Sequence, residues 1–534
     1  MSVTGQLFFG GDIYTVDPAR PSVEAVAVRA GTIVAVGALN KCRSILDDDY
    51  EPIDLQGAAL LPGFIDTHLH PTTLIFYDQN VRLRGVTSLA ELQARLQAQI
   101  RDHAPSAWIV GLDFDEQNLP EARLPSRHDL DLAGPDNPVI LIKHDLHSII
   151  GNTKAIEAAG ASAATIDPEG GVIDREPDGY PAGPFREAAS QLLLNVMPLP
   201  DVDSLIAGAK NTARNLAAHG ITSIGGILQT GEQGPAGISG AFDVGIMSML
   251  LEHFPINIYG MLIAADLEQI SMARQSPLHQ SVPGGHHIGA VKMFADGSFG
   301  TGTAYMHEPF DDLPDKRGFL VEDEESLYRR MLWVHQAGLQ IAMHAIGDAA
   351  NRAAVDLFER LLAEHPRADH RHRLEHASVV DRGTVADIAR LGLVISTQPL
   401  FIHTEKGWLH KRLGAERAKR TYPFRAFLEA GIRVAGASDA PVESVDVLHA
   451  IQCCVTREGF EVQEAITAAE AVRMYTFDAA YAQFEEQVKG SISLGKRADL
   501  VVLSENPVSA KPSEIKRIQV LRTMAGGKTI YRLP

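Results

Sequence analysis

Between residues 59 and 437 the chain carries eight short apolar runs, most of them separated by stretches with helical spacing. The runs are 59–65, 221–227, 256–263, 288–294, 339–343, 372–376, 393–397 and 432–437. Helical spacing occurs at 205–219, 323–337, 349–364, 381–391 and 416–430. Strands that are apolar throughout are buried on both faces, and strand–helix alternation builds parallel sheets. Eight such units predict an α/β chain whose centre is a (β/α)8 TIM barrel, with functional groups gathered at the carboxyl ends of the strands.

The interval after the first run is far too long for a simple connection. Residues 72–220 contain a helix at 89–100, strand-like runs at 108–112 and 138–142, and connections rich in Pro and Gly. A long insertion at a functional face predicts an inserted lid subdomain. The two ends of the chain have a different texture. Apolar and polar residues alternate at 7–9, 13–16, 25–28 and 32–37, and again at 490–503, 520–524 and 528–531. Period-two runs joined by turns such as Gly10-Gly11 mean antiparallel β structure. Neither end can bury a core alone, so residues 1–58 and 488–534 are expected to form one small β-sandwich domain. The barrel is expected at 59–487, with the lid inside 72–220.

The strand ends carry chemistry. His68 and His70 sit at i and i+2, so a strand aims both at one point, and neutral imidazole is the commonest metal ligand. With 21 histidines in 534 residues, about one His-x-His arises by chance. A second pair, His370 and His372, lies among charged residues and reads as a solvated loop. The apolar strand and the Pro62-Gly63 step set the first pair apart. Lys292 lies on the fourth run, His344 ends the fifth, His376 ends the sixth and Asp439 ends the eighth. Each has an ordinary reading: a snorkelling lysine, hydrogen-bonded core histidines, a helix-capping aspartate. Together on one rim they predict a metal site. Asp296, His147 and Trp108 are weaker candidates for substrate contact. The ordinary readings are a loop-capping carboxylate, a structural histidine and lid core.

Composition narrows the partners. A net charge of −19 argues against nucleic acid, which needs basic patches. No apolar run is long enough for a bilayer, and the first residues lack the pattern of a signal peptide. Three cysteines, two of them adjacent (Cys453 and Cys454), make no disulfide framework, which points to a reducing cytoplasm.

Several segments carry a resemblance over essentially the whole chain: PGFIDTHLHP, RLPSRHDLDLAGPDNPVILIKHDLHSIIGNTKAIEAAG, VKMFADGSFGTGTA, MHAIGDAANRAAVDLFE, RLEHASVV, STQP, GASDAPV and GSISLGKRADLVVLSENP. The chain resembles the amidohydrolase superfamily, in the metal-dependent hydrolase branch that includes N-substituted formamide deformylases (amidohydrolase family 3 type). The resemblance implies that His68, His70 and Asp439 bind one metal. It implies that His344 and His376 hold a second where there are two, with Lys292 as a carboxylated bridging ligand. In the mononuclear arrangement His68, His70, His344 and Asp439 are the ligands. Zinc is the default ion; iron, manganese and nickel are the alternatives. The implied reaction is cleavage of a non-peptide C–N bond in an amide, N-substituted formamide or carbamate by metal-activated hydroxide. Asp439 moves the proton and His376 stabilises the oxyanion. A deaminase of the same superfamily, a lactonase-like or phosphotriesterase-like activity, and a catalytically silent binding module are the rivals. A homodimer acting on a small molecule is expected. The family's Gly-Trp-Asp pattern is replaced here by Gly111-Leu112-Asp113.

Overall fold

The computed structural model describes residues 5–534 apart from 48, 78–79, 102–103, 105, 117–118, 121–122, 144–147, 169, 199, 233, 235–236 and 281. The chain divides into two units. One comprises residues 1–70, 213–228 and 251–534, the other residues 71–212 and 229–250.

The first unit contains an eight-stranded parallel sheet in chain order: Phe64–Leu69, Ile221–Gln229, Asn257–Ile263, His287–Phe294, Gln340–Ala345, Arg373–His376, Val394–Thr397 and Val434–Gly436. These strands are apolar and buried nearly throughout, as the sequence predicts for a sheet covered on both faces. Helices Glu324–Gln336, Asp348–Glu364 and Arg382–Leu391 follow the fourth, fifth and sixth strands. The two outer strands meet through the residues just beyond them. His70 N donates to Ala440 O at 2.8 Å and Asp439 N to His68 O at 2.7 Å. The Thr67 hydroxyl donates to Gly436 O at 3.1 Å. The result is a (β/α)8 TIM-barrel fold.

The first apolar run is two strands, not one. Ala59–Pro62 pairs with strands from both ends of the chain, and only Phe64–Leu69 belongs to the barrel. Gly63 makes the break. A Cβ there would lie 2.5 Å from the Thr222 side chain, and its amide donates to Asp499 O at 2.8 Å. The sheet on the far side of this break orders Lys528–Arg532, Val520–Ala525, Leu500–Leu503, Ala59–Pro62, Gly5–Tyr14, Ser22–Arg29 and Thr32–Gly37. Alternate residues face opposite sides. Val26 and Val28 join Phe8, Leu500 and Met524 in one apolar cluster, while Ala25 and Ala27 pack with Cys42 and Leu46 of the helix Leu39–Leu46.

Two further expectations change. The helix expected over 416–430 is broken into Leu409–Ala418 and Phe424–Glu429. Pro423 has no N–H to continue a helix, and buried Tyr422 takes a φ of 50° while its amide donates to Ser378 O at 2.7 Å. His370 and His372 are buried, not solvated. Ile341 N donates to His372 Nδ1 at 3.0 Å, so Nε2 carries the ring proton toward His335 Nδ1, 2.8 Å away. His370 Nε2 meets Leu391 O at 3.0 Å. Burial drives the His372 pKa well below its usual value, which keeps the ring neutral. The flanking charges misled because Arg371 is neutralised by Asp369 and Glu486 and packs over the Tyr481 and Phe484 rings.

The second unit has a six-stranded sheet, ordered Gly171–Arg175, Pro181–Glu187, Ser148–Gly151, Val139–Lys143, Ile109–Phe114 and Val81–Arg82. The helix Leu89–Ile100, capped by Ser88, buries Leu92 and Leu96 against Ile109 and Val139. Trp108 packs on the cluster of Val110, Ile140 and Phe185. Among the described residues no helix is long and apolar enough to cross a membrane. Cys42, Cys453 and Cys454 are buried free thiols.

Replacing His372 by Ala removes a stacked ring and leaves the Ile341 amide unpaired. We expect a loss of about 3 kcal/mol in denaturant unfolding with no change in bound metal.

Candidate metal centre

The first barrel strand delivers His68 from its last turn of pleat and His70 from just beyond it. Asp439 arrives from the loop after the eighth strand, where its φ of 60° is a conformation few non-glycine residues hold without support. The support is its amide bond to His68 O. Asp439 Oδ1 then lies 3.3 Å from His68 Nε2 and 3.2 Å from His70 Nε2. One ligand atom from each of the three falls within 4.8 Å of the others.

The remaining strand-end groups surround this trio. Lys292 Nζ lies 3.4 Å from His68 Nε2. The His376 ring centroid is 4.9 Å from that of His68 and 4.5 Å from that of His344. His376 has a φ of 71° and Ala377 one of 46°, so the sixth strand turns sharply at the residue that carries the ring. His376 Nδ1 meets Gln398 Oε1 at 2.8 Å; with the amide oxygen accepting, Nε2 keeps its lone pair. Phe401 lies nearly parallel to the same ring, 9° apart in plane with centroids at 6.2 Å. His344 is close but differently engaged. Its Nε2 faces Gly297 O at 3.1 Å and Asp296 Oδ1 at 3.5 Å, and it does not share the three-residue cluster.

Burial sets the electrostatics. It lowers the pKa of His70, of His344 (well below the usual value) and of His376, to about 3, so these rings are neutral at neutral pH. It also lowers Lys292 to about 8, against the pull of the Glu375 and Asp439 carboxylates. Burial works against the Asp439 carboxylate too, but the charge of His68 and hydrogen bonds from both histidines prevail and hold its pKa well below normal.

Residues that the sequence reading passed over complete the arrangement. Glu375 Oε2 makes a short hydrogen bond to His68 Nδ1, which fixes the ring's orientation and aims Nε2 at Asp439. Arg373, fully buried, grips Glu375 through its Nε and Nη2 and donates to Thr67 O at 2.7 Å. A buried strand with charged residues at i and i+2 was the available signal. Asp66 braces the same corner, accepting from His68 N at 3.2 Å and Ser438 N at 3.1 Å; burial raises its pKa to about 6.

Asp296 accepts from three backbone amides, Tyr305, Ile346 and Gly347, at 2.8–3.0 Å. It ties the loops after the fourth and fifth strands together, and burial raises it to about 7. Trp108 belongs to the second unit's core, and His147 lies outside the described residues.

The donor set suits a divalent cation. Neutral imidazoles, an ionised carboxylate and a carboxylate-oriented ring are the ligand chemistry of zinc and its neighbours. His68, His70 and Asp439 can hold such an ion directly. Lys292, His344 and His376 are placed to extend the site.

Comparison with known proteins agrees. The profile of the amidohydrolase family matches residues 51–531. The chain is 30% identical over 551 residues to a putative amidohydrolase, YtcJ, of Bacillus subtilis (strain 168), covering 98% of this chain and 99% of that one. It is 29% identical over 549 residues to an N-substituted formamide deformylase of Arthrobacter pascens, covering 98% of each. Among solved structures, an uncharacterized metal-dependent hydrolase from Pyrococcus furiosus superposes with a TM-score of 0.75 at 27% identity, over 95% of this chain and all of that one. A second, from Pyrococcus horikoshii OT3, gives 0.77 at 25% identity over 95% and 99%. A barrel that closes through a histidine pair and an aspartate, in a chain matched from end to end, leaves one conclusion: the protein belongs to the amidohydrolase family and is a metal-dependent hydrolase of carbon–nitrogen bonds.

Proposed function

We propose that this centre hydrolyses a non-peptide C–N bond in an amide, N-substituted formamide or carbamate of a small molecule. The observation that carries the reading is the Asp439 oxygen shared between two imidazole nitrogens at 3.2 and 3.3 Å. The likeness to a named formamide deformylase supports the substrate class.

A divalent metal, zinc by default with iron, manganese or nickel as alternatives, supplies Lewis-acid polarisation and acidifies water. The rest falls to the chain. Asp439 is ionised across the neutral range, so it can accept the proton of an attacking water and return it to the departing nitrogen. His376, neutral and stacked on Phe401, is read as stabilising the oxygen that gains charge, a role for the tautomer with its proton on Nε2, in which the Gln398 amide turns to donate to Nδ1. Lys292 is read as carboxylated: its amine nitrogen bonds to the carbon of carbon dioxide and releases a proton, turning a cation into an anionic two-oxygen ligand. What supports this is burial that brings the amine into its neutral form near pH 8. His344 would hold a second ion in that arrangement. The same reading takes the terminal sheet as a sandwich-type domain and the inserted unit as a lid. Chain connectivity supports the lid, because the insertion departs at Pro71, immediately after His70. Asp296, His147 and Trp108 are retained as substrate-side candidates. The strongly acidic chain and its buried thiols support a cytoplasmic protein without nucleic-acid partners; the homodimer rests on the family resemblance alone.

A panel of formamides, amides, carbamates and amidine-like compounds, assayed for amine, acid and ammonia, tests the reading. Amine release is expected, with formate from formamides; ammonia release alone would favour the deaminase instead. Asp439→Asn should keep metal better than turnover, which falls by about 100-fold or more, and unchanged turnover would remove its proton-transfer role. Intact mass under carbon dioxide together with metal counting examines Lys292. A carboxylated lysine goes with two ions per chain, a bare amine with one. Glu375→Gln should weaken metal binding about 10- to 100-fold and cost about 3 kcal/mol by stranding Arg373. The Glu375 pKa is held well below 4.5: burial opposes this, and the charges of Arg373 and His68 overcome it. A carboxylate depressed on folding stabilises above its unfolded pKa and loses that contribution as pH falls through its folded value. The stability gap to wild type should therefore be constant near pH 7 and shrink only below pH 4.5.

A further inference from the structure

A second cluster of metal-competent side chains lies in the first unit and shares no residue with the barrel centre. His403 comes from the short helix Phe401–Glu405, His449 from the helix Val447–Thr456, and Glu458 from the turn Arg457–Gly459. Glu458 uses both oxygens: Oε2 lies 2.7 Å from His403 Nδ1 and Oε1 2.9 Å from His449 Nε2. The two rings meet edge-on at 66° with centroids 4.6 Å apart. One nitrogen or oxygen from each residue lies within 4.8 Å of the other two.

The turn holds the carboxylate in place at a cost. Arg457 and Glu458 have φ values of 53° and 45°, a conformation that needs enforcement in residues with a Cβ. Arg457 enforces it. Its buried guanidinium donates to Phe460 O, Tyr422 O and Thr421 O at 3.2, 2.8 and 3.1 Å. Glu458 N donates to the Thr456 hydroxyl at 3.2 Å. The three donors thus stand on separate, fixed elements, yet the cluster is open to solution, with the His403 side chain 46% exposed.

A cation already sits there. The Lys406 ammonium pairs with Glu458 Oε2, and its side chain is 35% exposed, so it can swing into water and leave its place to another ion. Two imidazoles and a carboxylate form a ligand set for zinc and other transition ions, whereas an ammonium satisfies only the carboxylate. We propose that His403, His449 and Glu458 form a second, exchangeable site for a zinc-type divalent ion, bound by displacing Lys406 and completed by water. An ion there would tie the helix Phe401–Glu405, whose first residue stacks on His376, to the helix Val447–Thr456.

Zinc itself is the probe. Holoprotein is dialysed against buffered free zinc and counted for metal per chain, for wild type, His403→Ala, Glu458→Gln and Lys406→Met. The wild type should take up one equivalent that His403→Ala and Glu458→Gln bind at least about tenfold more weakly. Zinc should also raise the wild-type melting temperature by more than that of Glu458→Gln. Lys406→Met should bind the extra equivalent several-fold more tightly, a gain that folding defects would not produce. Equal uptake by wild type, His403→Ala and Glu458→Gln overturns the site. Uptake by Lys406→Met that is no tighter than wild type overturns the displacement of the ammonium. Loss of the barrel-centre metal changes neither difference, so the outcome is separate from the proposed activity.

Discussion

Two backbone hydrogen bonds, His70 N to Ala440 O and Asp439 N to His68 O, join stretches of chain that are hundreds of residues apart. They close the barrel and assemble its centre in the same act. The histidine pair and the aspartate are brought within reach of one another because the first and last strands are neighbours in a closed parallel sheet. Asp66 reinforces the seam from the side, bonding His68 N and Ser438 N with one oxygen. The geometry of the site is therefore a property of barrel closure rather than of any local motif.

Charge in a buried place has to be matched, and the centre does so in layers. Arg373 compensates Glu375, Glu375 orients His68, and His68 and His70 stabilise the ionised Asp439. Each carboxylate is kept ionised by a partner that itself has nowhere else to go, whereas Asp66 and Asp296, bonded to backbone amides, are pushed toward protonation by burial. The positive φ values at His376 and Asp439 place backbone strain at the residues that carry the chemistry, where surrounding bonds hold it.

Much of this was legible in the sequence. Eight apolar runs gave the barrel, because a strand covered on both faces must be apolar throughout. The strand-end positions of His68, His70, Lys292, His344, His376 and Asp439 gave the rim. What the sequence concealed is tertiary. Gly63 splits one apolar run between two sheets because Thr222 crowds it from another strand. His370 and His372 look solvated beside Arg371, yet pack inside, and Arg371 itself is paired with Asp369 and Glu486 and lies over the Tyr481 ring. Glu375 and Arg373 gain a role only because the barrel brings Thr67 and His68 beside them. Helical spacing at 416–430 hid the break at Tyr422 and Pro423, which Ser378 fixes from a distant loop. Substrate identity depends on residues beyond this rim, and one candidate, His147, lies outside the described residues.

The central claim is that barrel closure builds a site for a catalytic divalent metal from His68, His70 and Asp439. Metal content per folded chain in His70→Ala, measured beside wild type by elemental analysis with circular dichroism as the folding control, tests it most directly. The variant should keep its fold and lose metal. A folded His70→Ala protein with the wild-type metal content would contradict it.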